Sequence, residues 1–429
     1  MAAFTSIAAT QTRKSHRIAG FVVWFLVVFN VLFPKGGFKI GDVPYTWGYL
    51  FLGATLIPLA IVRFAGGSLR MRRNTLIALA SQIPFQILVI YSFRQYGIAS
   101  FGFLASMVVG LYILPFAFLV VYPGYFRYID GVKLASLLRR CIFWTAVFGI
   151  FLFFYYAITR QLIEIPYLTV NAEDYGMIEL TKHINRGSFL KLISTYNNGN
   201  LYGVAMIILL PLYNQLEPKT WKRIVLKVAL VLTLSRSVWL GLVMEQLLSL
   251  VRIGWDSAKT FPRLALGPAI NKALLIIATA GAVLVGLFFV SGGLSFLFDP
   301  QLGGRSNYIS DAARGATILP TGIVYGFLEI IYATALQSYG ILGLISFVLI
   351  FLTPIFLLLT NRTLFHSPLR LAACKGLILY MIVAGADGGL LLIPILAFYW
   401  FAYMVFLEGW PGNLDMIPRP REGHPVQTR

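Results

Sequence analysis

The sequence predicts an all-α, polytopic integral membrane protein with about twelve transmembrane helices and two larger loops on its outer side. Three observations predict it. Of the 429 residues, 58% are hydrophobic and only 12% charged, and the mean hydropathy is +0.79, more apolar material than a water-exposed surface can hide. Apolar windows near the ~20 residues that a bilayer requires recur at 18–33, 46–64, 75–93, 98–121, 141–158, 200–216, 223–235, 237–251, 273–291, 330–359, 371–385 and 389–407. The basic residues, which give a net charge of +19, are scattered between these windows. Membrane orientation therefore explains them, and nucleic-acid binding does not.

In chain order, 1–17 is polar, ends in Arg13, Lys14, His16 and Arg17, and is followed by no small-residue cleavage pattern; it is expected to be a cytoplasmic tail. After five windows comes a first outer loop, 159–199, carrying Arg160, Glu164, His183, Arg186 and Lys191, then Tyr196-Asn197-Asn198-Gly199-Asn200. Beyond the window 200–216 lies 223–251, an apolar run whose only charges past Ile224 are Lys227, Arg236 and Glu245. An arginine at membrane depth costs roughly 2.5–3.5 kcal/mol on insertion scales, so something must compensate it.

Read as a helical hairpin breaking at Ser235-Arg236, this run sorts 25 of the 35 Lys and Arg residues to the side of the N-terminus. Read as one helix, it would put the basic connector 252–272 outside, against the positive-inside tendency. The hairpin also sets Lys227 and Glu245, nine residues either side of Arg236, at equal depth on facing helices; in one helix they would lie ~27 Å apart. Each arm is short for ~30 Å of hydrocarbon, so the bilayer thins or Arg236 sits in a recessed aqueous cavity.

A second outer loop, 291–328, holds Gly304-Arg305, Asp311 and Arg314-Gly315. Within the loops, 176–192 and 306–316 are expected to be short interfacial helices. The tail 411–429 is Pro- and charge-rich and expected to be disordered and cytoplasmic. Two cysteines, Cys141 and Cys374, and four widely spaced histidines indicate no disulfide framework and no metal site. No soluble domain is large enough to fold alone, so the whole chain reads as a single membrane domain.

Four segments in this order carry a resemblance: Tyr196-Asn197-Asn198-Gly199-Asn200-Leu201-Tyr202-Gly203; Thr233-Leu234-Ser235-Arg236-Ser237-Val238-Trp239-Leu240; Gly304-Arg305; and Tyr332 through Gln337-Ser338-Tyr339-Gly340-Ile341-Leu342-Gly343-Leu344. Together they resemble the O-antigen polymerase and O-antigen ligase superfamily of bacterial envelope glycosyltransferases, membrane proteins of the C class of glycosyltransferase folds. The likeness covers roughly residues 185–350. Arg186 with Gly199, and Arg305 with Gly315, are similar to the paired Arg-to-Gly spacing of polymerase outer loops. The sequence departs in one place: where many members, ligases especially, have His-Asn eleven residues before the glycine matching Gly340, this chain has Glu329-Ile330.

The resemblance implies transfer of a glycan from an undecaprenyl-pyrophosphate carrier to an acceptor hydroxyl at the outer face of the bacterial inner membrane, inverting and without metal, nucleotide sugar or other cofactor. Such a reaction needs cations to hold the departing pyrophosphate, and Arg236, Arg305, Arg186 and Arg314 are the candidates. It needs a base, for which a partly desolvated carboxylate serves: Glu329 first, then Asp311, with His183, the one outward histidine, third. Tyr325, Tyr332 and Asn198 are candidate glycan contacts. Expected partners are the lipid-linked glycan, membrane lipids and, as a further candidate, a chain-length regulator, with no nucleic acid.

Each residue also has an ordinary reading. Asp311 and Arg314 can form a helical surface pair, Glu329 can close a loop against an arginine, and Arg186 and Lys191 can meet lipid headgroups. Tyr325, Tyr332 and Tyr339 suit helix packing, and Asn197, Asn198 and Asn200 suit turns. The leading functional reading is a polymerase of lipid-linked repeat units for O-antigen or exopolysaccharide. The alternatives are a ligase onto lipid A-core, a polysaccharide or lipid transporter or flippase, and a signalling or scaffolding membrane protein.

Overall fold

The structure is a computed structural model that describes residues 20–41, 43–65, 71–126, 128–173, 175–176, 185–186, 189–254, 263–266, 305–324, 326 and 330–412. Without water, backbone polar groups must be satisfied within each segment, which selects helix, and the described chain is 75% helix and 4% strand. Its elements are α1 (Gly20–Leu32), a hairpin of β1 (Gly37–Ile40) and β2 (Val43–Thr46), α2 (Trp47–Ala65), α3 (Arg73–Ala80), α4 (Ile83–Tyr96) and α5 (Phe101–Phe126). They continue with α6 (Gly131–Thr159), the two-residue strands β3 (Asn185–Arg186) and β4 (Phe189–Leu190), α7 (Gly199–Leu216), α8 (Thr220–Leu232) and α9 (Arg236–Leu250). After a ribbon of β5 (Val251–Gly254) and β6 (Arg263–Leu266) come α10 (Arg305–Arg314), α11 (Ile331–Thr360), α12 (Pro368–Asp387) and α13 (Ile395–Glu408).

Eleven of the apolar windows fall on helices, and the remaining one, 273–291, lies outside the described residues. Among the described residues six helical stretches are long and apolar enough to cross a membrane: α2, α3 with α4, α5, α6, α11 and α12. The chain is a helical membrane protein. Lipid-facing and core helices separate by burial: 11% of the apolar window of α2 is buried against 56% for α12, and Ile57, Ile61 and Val62 stand more than 60% exposed on α2. In α7 every residue from Leu201 to Tyr213 is buried, as befits a helix apolar all round. It packs along α12, which also carries α13, α11 and α9. A methyl group on Gly376 of α12 would collide with the Ile208 carbonyl of α7, so the small residue is what lets these two backbones approach.

Three expectations need correction. Asn185–Arg186 pairs with Phe189–Leu190 as a β ribbon, so 176–192 is not one helix, whereas 306–316 does fall on α10. The helix of window 141–158 begins ten residues early, at Gly131, because Asp130 Oδ1 accepts from the Val132 and Lys133 amides at 3.0 and 3.2 Å; this N-cap outweighs the polar composition of the first turns. The Lys133 amide also holds the Asp130 carboxyl below its ordinary range.

The third correction concerns α11, which is not one straight span. Gly340 has φ 73 and ψ −172, a conformation that only glycine adopts at little cost. The amides of Ile341 and Leu342 donate to Thr317 and Ile318 at 2.8 and 3.2 Å, so the loop after α10 caps a second helix that starts at Ile341. The nine residues before Gly340 fold back against it. Ala335 O would lie 3.4 Å from a methyl on Gly343, and the Tyr332 ring packs on Phe347 and Phe351.

The helix ends gather in two groups. At one end Arg139 Nη1 donates to Leu216 O, Trp410 Nε1 to Gly131 O, and Arg370 to Leu407 O and Glu408 O. At the other end Trp47 Nε1 donates to Tyr167 O at 2.7 Å and Tyr196 Oη to Val31 O at 2.9 Å. The candidate site lies at this second end.

Candidate functional site

The break between α8 and α9 is built by its polar side chains. Thr233 Oγ1 returns to Leu230 O at 2.7 Å, and the Ser235 and Ser237 hydroxyls bond each other at 2.8 Å. Such local bonds compete with helical ones. Leu234 takes φ 50, a strained conformation for a side chain with a Cβ, and Trp239 Nε1 donates across the break to Val231 O at 3.0 Å. The chain therefore reverses here, and Lys227 Nζ meets Glu245 Oε2 at 3.5 Å on the facing helix, as their mirrored spacing predicts. Arg236 is the first residue of α9. A helix N-terminus carries about half a positive charge, so a guanidinium at that position adds cation to cation and favours an anion nearby.

The segment that leads into α7 returns into the bundle to meet this break. Leu192 N donates to Leu232 O at 3.0 Å, and Ser194 Oγ donates to Thr145 O, midway along α6, at 2.7 Å. Asn197 turns in the left-handed region (φ 57). Asn198 then caps α7, its Oδ1 accepting from the Asn200 and Leu201 amides at 2.8 and 3.2 Å. Its carbonyl oxygen is thus spent on the helix. Gly199 is required because Leu192 O would lie 2.9 Å from any Cβ.

From the first turn of α7, Asn200 links two buried charges. Lys191 Nζ donates to Asn200 Oδ1 at 3.1 Å, and Asn200 Nδ2 donates to Asp387 Oδ2 at 2.5 Å; Lys191 is 1% exposed and Asp387 5%. Packing brings Arg236 to the same layer. Gly203 abuts Val238, and a methyl on Gly241 would lie 3.0 Å from both Ile207 and Val383, so α7, α9 and α12 are in register with Asn200, Arg236 and Asp387 level. The folded-back arm of α11 closes the layer: a methyl on Gly388 would lie 2.6 Å from Ile331. α10 lies on that arm through Tyr308 Oη, 3.2 Å from Thr334 Oγ1, and through Ala312, which packs with Ile330 and Ala333.

The sequence candidates therefore divide. Arg236 and Asn198 fall in one layer of the bundle, at the level of the bonded set Lys191, Asn200 and Asp387. Tyr332 lies beside them, but its hydroxyl donates to Met381 O at 2.6 Å and its ring packs in the core, so helix packing accounts for it. Asp311 and Arg314 are exposed, and no ion pair joins them. Arg186 and Arg305 are described by backbone only, in β3 and at the start of α10. Glu329, His183 and Tyr325 lie outside the described residues. Lys191 is a buried partner of Asn200, which corrects its reading as a headgroup contact. No protein-family model matches the chain and no curated protein sequence matches it.

Sequence reasoning passed over Asp387, although it is the one carboxylate between Glu329 and Glu408. It ends α12 in the short connection between two apolar windows, and a carboxylate at membrane depth is a functional candidate, which was the available signal. Below the layer, an apolar cavity of about 940 Å³ runs between α1, α2, α5, α6 and α13, bounded by Val31, Leu52, Phe118, Leu138, Phe398 and Met404. Val31 is the residue whose carbonyl accepts from Tyr196, so one end of the cavity adjoins the segment leading to Asn198.

Proposed function

We propose that the protein is a membrane glycosyltransferase of the bacterial inner membrane, a polymerase that joins polyprenyl-pyrophosphate-linked oligosaccharide repeat units into O-antigen or exopolysaccharide on the periplasmic side. One observation carries the reading: Arg236 opens a helix in the same layer as the buried chain Lys191, Asn200 and Asp387, at the end of the bundle where both long loops arrive. In this reading the chain has twelve spans with cytoplasmic termini, and belongs to the C class of glycosyltransferase folds.

The acceptor hydroxyl oxygen attacks the anomeric carbon of the donor from the face opposite the pyrophosphate. The carbon–oxygen bond to pyrophosphate breaks, its electron pair leaves with the pyrophosphate, and the hydroxyl proton passes to a carboxylate. Arg236, with Arg305, takes the charge that develops on the leaving group, which a preorganised donor in a dry site stabilises better than water does. Glu329, two residues before Ile331, is the proposed base. Asp387 positions Asn200, and the prenyl chain occupies the apolar cavity.

With a purified lipid-linked repeat unit as sole substrate, the reconstituted protein makes a ladder of longer products, because donor and acceptor are the same kind of molecule. Glu329→Gln keeps the shape, removes the proton acceptor and abolishes most of the ladder. No ladder, but transfer once lipid A-core is added, identifies a ligase. A protein that makes neither product from any lipid-linked glycan refutes the proposal.

A further inference from the structure

A second pocket lies at the opposite end of the bundle, where α3 begins, α13 ends and α12 begins. It encloses about 360 Å³, within the ordinary size of ligand sites, and Arg72, Arg73, Thr363, Arg370 and Glu408 contribute charged or polar groups to it. Three guanidinium groups against one carboxylate give it a net charge of +2. Arg370 is fixed by the C-terminal carbonyls of α13, donating to Leu407 O at 2.9 Å and Glu408 O at 2.7 Å. Arg72 Nη1 reaches Glu408 Oε2 at 2.9 Å. The first turn of α3 has no side-chain cap, its N-cap being Arg72 in an extended conformation, so the positive end of that helix also faces the pocket.

From Arg73 an exposed apolar stripe runs along α3 and α4. Leu76 is 47% exposed, Ile83 49%, Ile87 59% and Ile90 57%, at the three-, four- and seven-residue spacings of one helix face. Cations at the head of a lipid-facing stripe match one class of molecule, with phosphate at one end and hydrocarbon below it.

We infer that this pocket binds the phosphate of an anionic phospholipid headgroup, with the acyl chains lying along the Leu76, Ile83, Ile87 and Ile90 face. A free phosphate would use the same arginines but would leave the stripe without a role. Basic pockets between transmembrane helices recognise anionic headgroups in this way. The site is independent of the proposed glycosyl transfer.

Native mass spectrometry of the purified full chain tests it, titrating phosphatidylglycerol against phosphatidylcholine of the same acyl chains, with inorganic phosphate as competitor. Phosphatidylglycerol is retained roughly thirtyfold better, the equivalent of ~1 kcal/mol per net basic charge at an anionic surface. Arg73→Gln weakens its retention about fivefold, and Glu408→Gln, which raises the net charge, strengthens it by about the same factor. Equal retention of the two lipids overturns the inference, as do two variants that both leave retention unchanged or both weaken it. Displacement of the lipid by inorganic phosphate at comparable concentration assigns the pocket to free phosphate instead and overturns it also.

Discussion

If Lys191, Asn200 and Asp387 form one charge-balanced unit, removing either charge destabilises the fold and removing both costs less than the two losses added. The two hydrogen bonds and the width of the amide put Lys191 Nζ and Asp387 Oδ2 about 7 Å apart. At an effective dielectric constant of ~20 the attraction is about 2.4 kcal/mol. Asp387→Asn removes that term and weakens a charge-assisted hydrogen bond, itself ~1.5–3 kcal/mol, so it costs about 3–4 kcal/mol. Lys191→Met removes the same attraction but fills its space with an apolar chain, and costs about 2 kcal/mol. The double variant recovers about 2 kcal/mol of the summed loss. Reversible unfolding in mixed detergent micelles measures all four proteins. Losses that add to within ~0.5 kcal/mol mean that the two charges do not sense each other. Activity supplies an independent reading, since the double variant regains stability yet still lacks the carboxylate that positions Asn200, and so stays inactive.

Arg236→Lys keeps the charge and loses the planar fork, and is expected to lower turnover at least tenfold, ~1.4 kcal/mol of transition-state stabilisation, with unchanged elution on gel filtration; wild-type turnover removes Arg236 from the site. Gly340→Ala forces a Cβ into a φ of 73, costing ~1–2 kcal/mol, and brings it to 2.7 Å from both the Thr317 and Ile318 oxygens. With disturbance of the two capping hydrogen bonds the loss is about 3 kcal/mol in the same unfolding assay, and an unaltered midpoint contradicts the fold-back. For topology, Cys141 and Cys374 are buried, so an impermeant thiol reagent reads introduced cysteines over a low background. Ile318→Cys, at a position 67% exposed, and Met71→Cys, at one 38% exposed, are expected to label from opposite sides of the membrane, and labelling from the same side reverses the proposed orientation.

What the sequence made legible was what hydropathy and charge spacing encode. Apolar windows marked helices because a bilayer leaves the backbone little else. The mirrored Lys227 and Glu245 marked the reversal at Ser235-Arg236, because two buried charges need each other. The fold-back of α11 was hidden, since the polar pair Gln337-Ser338 before Gly340 is too short to split the apolar window 330–359. The fold-back depends on a backbone conformation and on two carbonyls from a distant loop. Lys191 looked like a surface lysine by its place in a polar loop, and only the return of that loop to Thr145 and Leu232 buries it. Asp387 carried its own signal and was overshadowed by arginines that fitted the ordered motifs.

The two sets of charge within the bundle differ in how they are satisfied. Glu245 is closed upon: Lys227 reaches one oxygen, where Gln246 Nε2 also donates at 2.8 Å, and Asn214 Nδ2 donates to the other at 3.0 Å. All four residues lie on α7, α8 and α9, so the cluster joins helices that the fold must hold together. Charges satisfied by neighbouring spans give register more than net stability. The second set lies at helix ends. Arg236 and Asn198 stand at two N-termini, whose dipoles add positive potential, and Asp387 ends a helix at its C-terminus, where a carboxylate meets negative potential. Both placements oppose what an isolated helix prefers, with cation at the positive end and anion at the negative one. In the proposed reading, the donor pyrophosphate gains from this arrangement. A pyrophosphate beside Arg236 would gain from both the guanidinium and the helix dipole, while the Asp387 carboxylate, held by Asn200, keeps Lys191 neutralised without competing for the same anion.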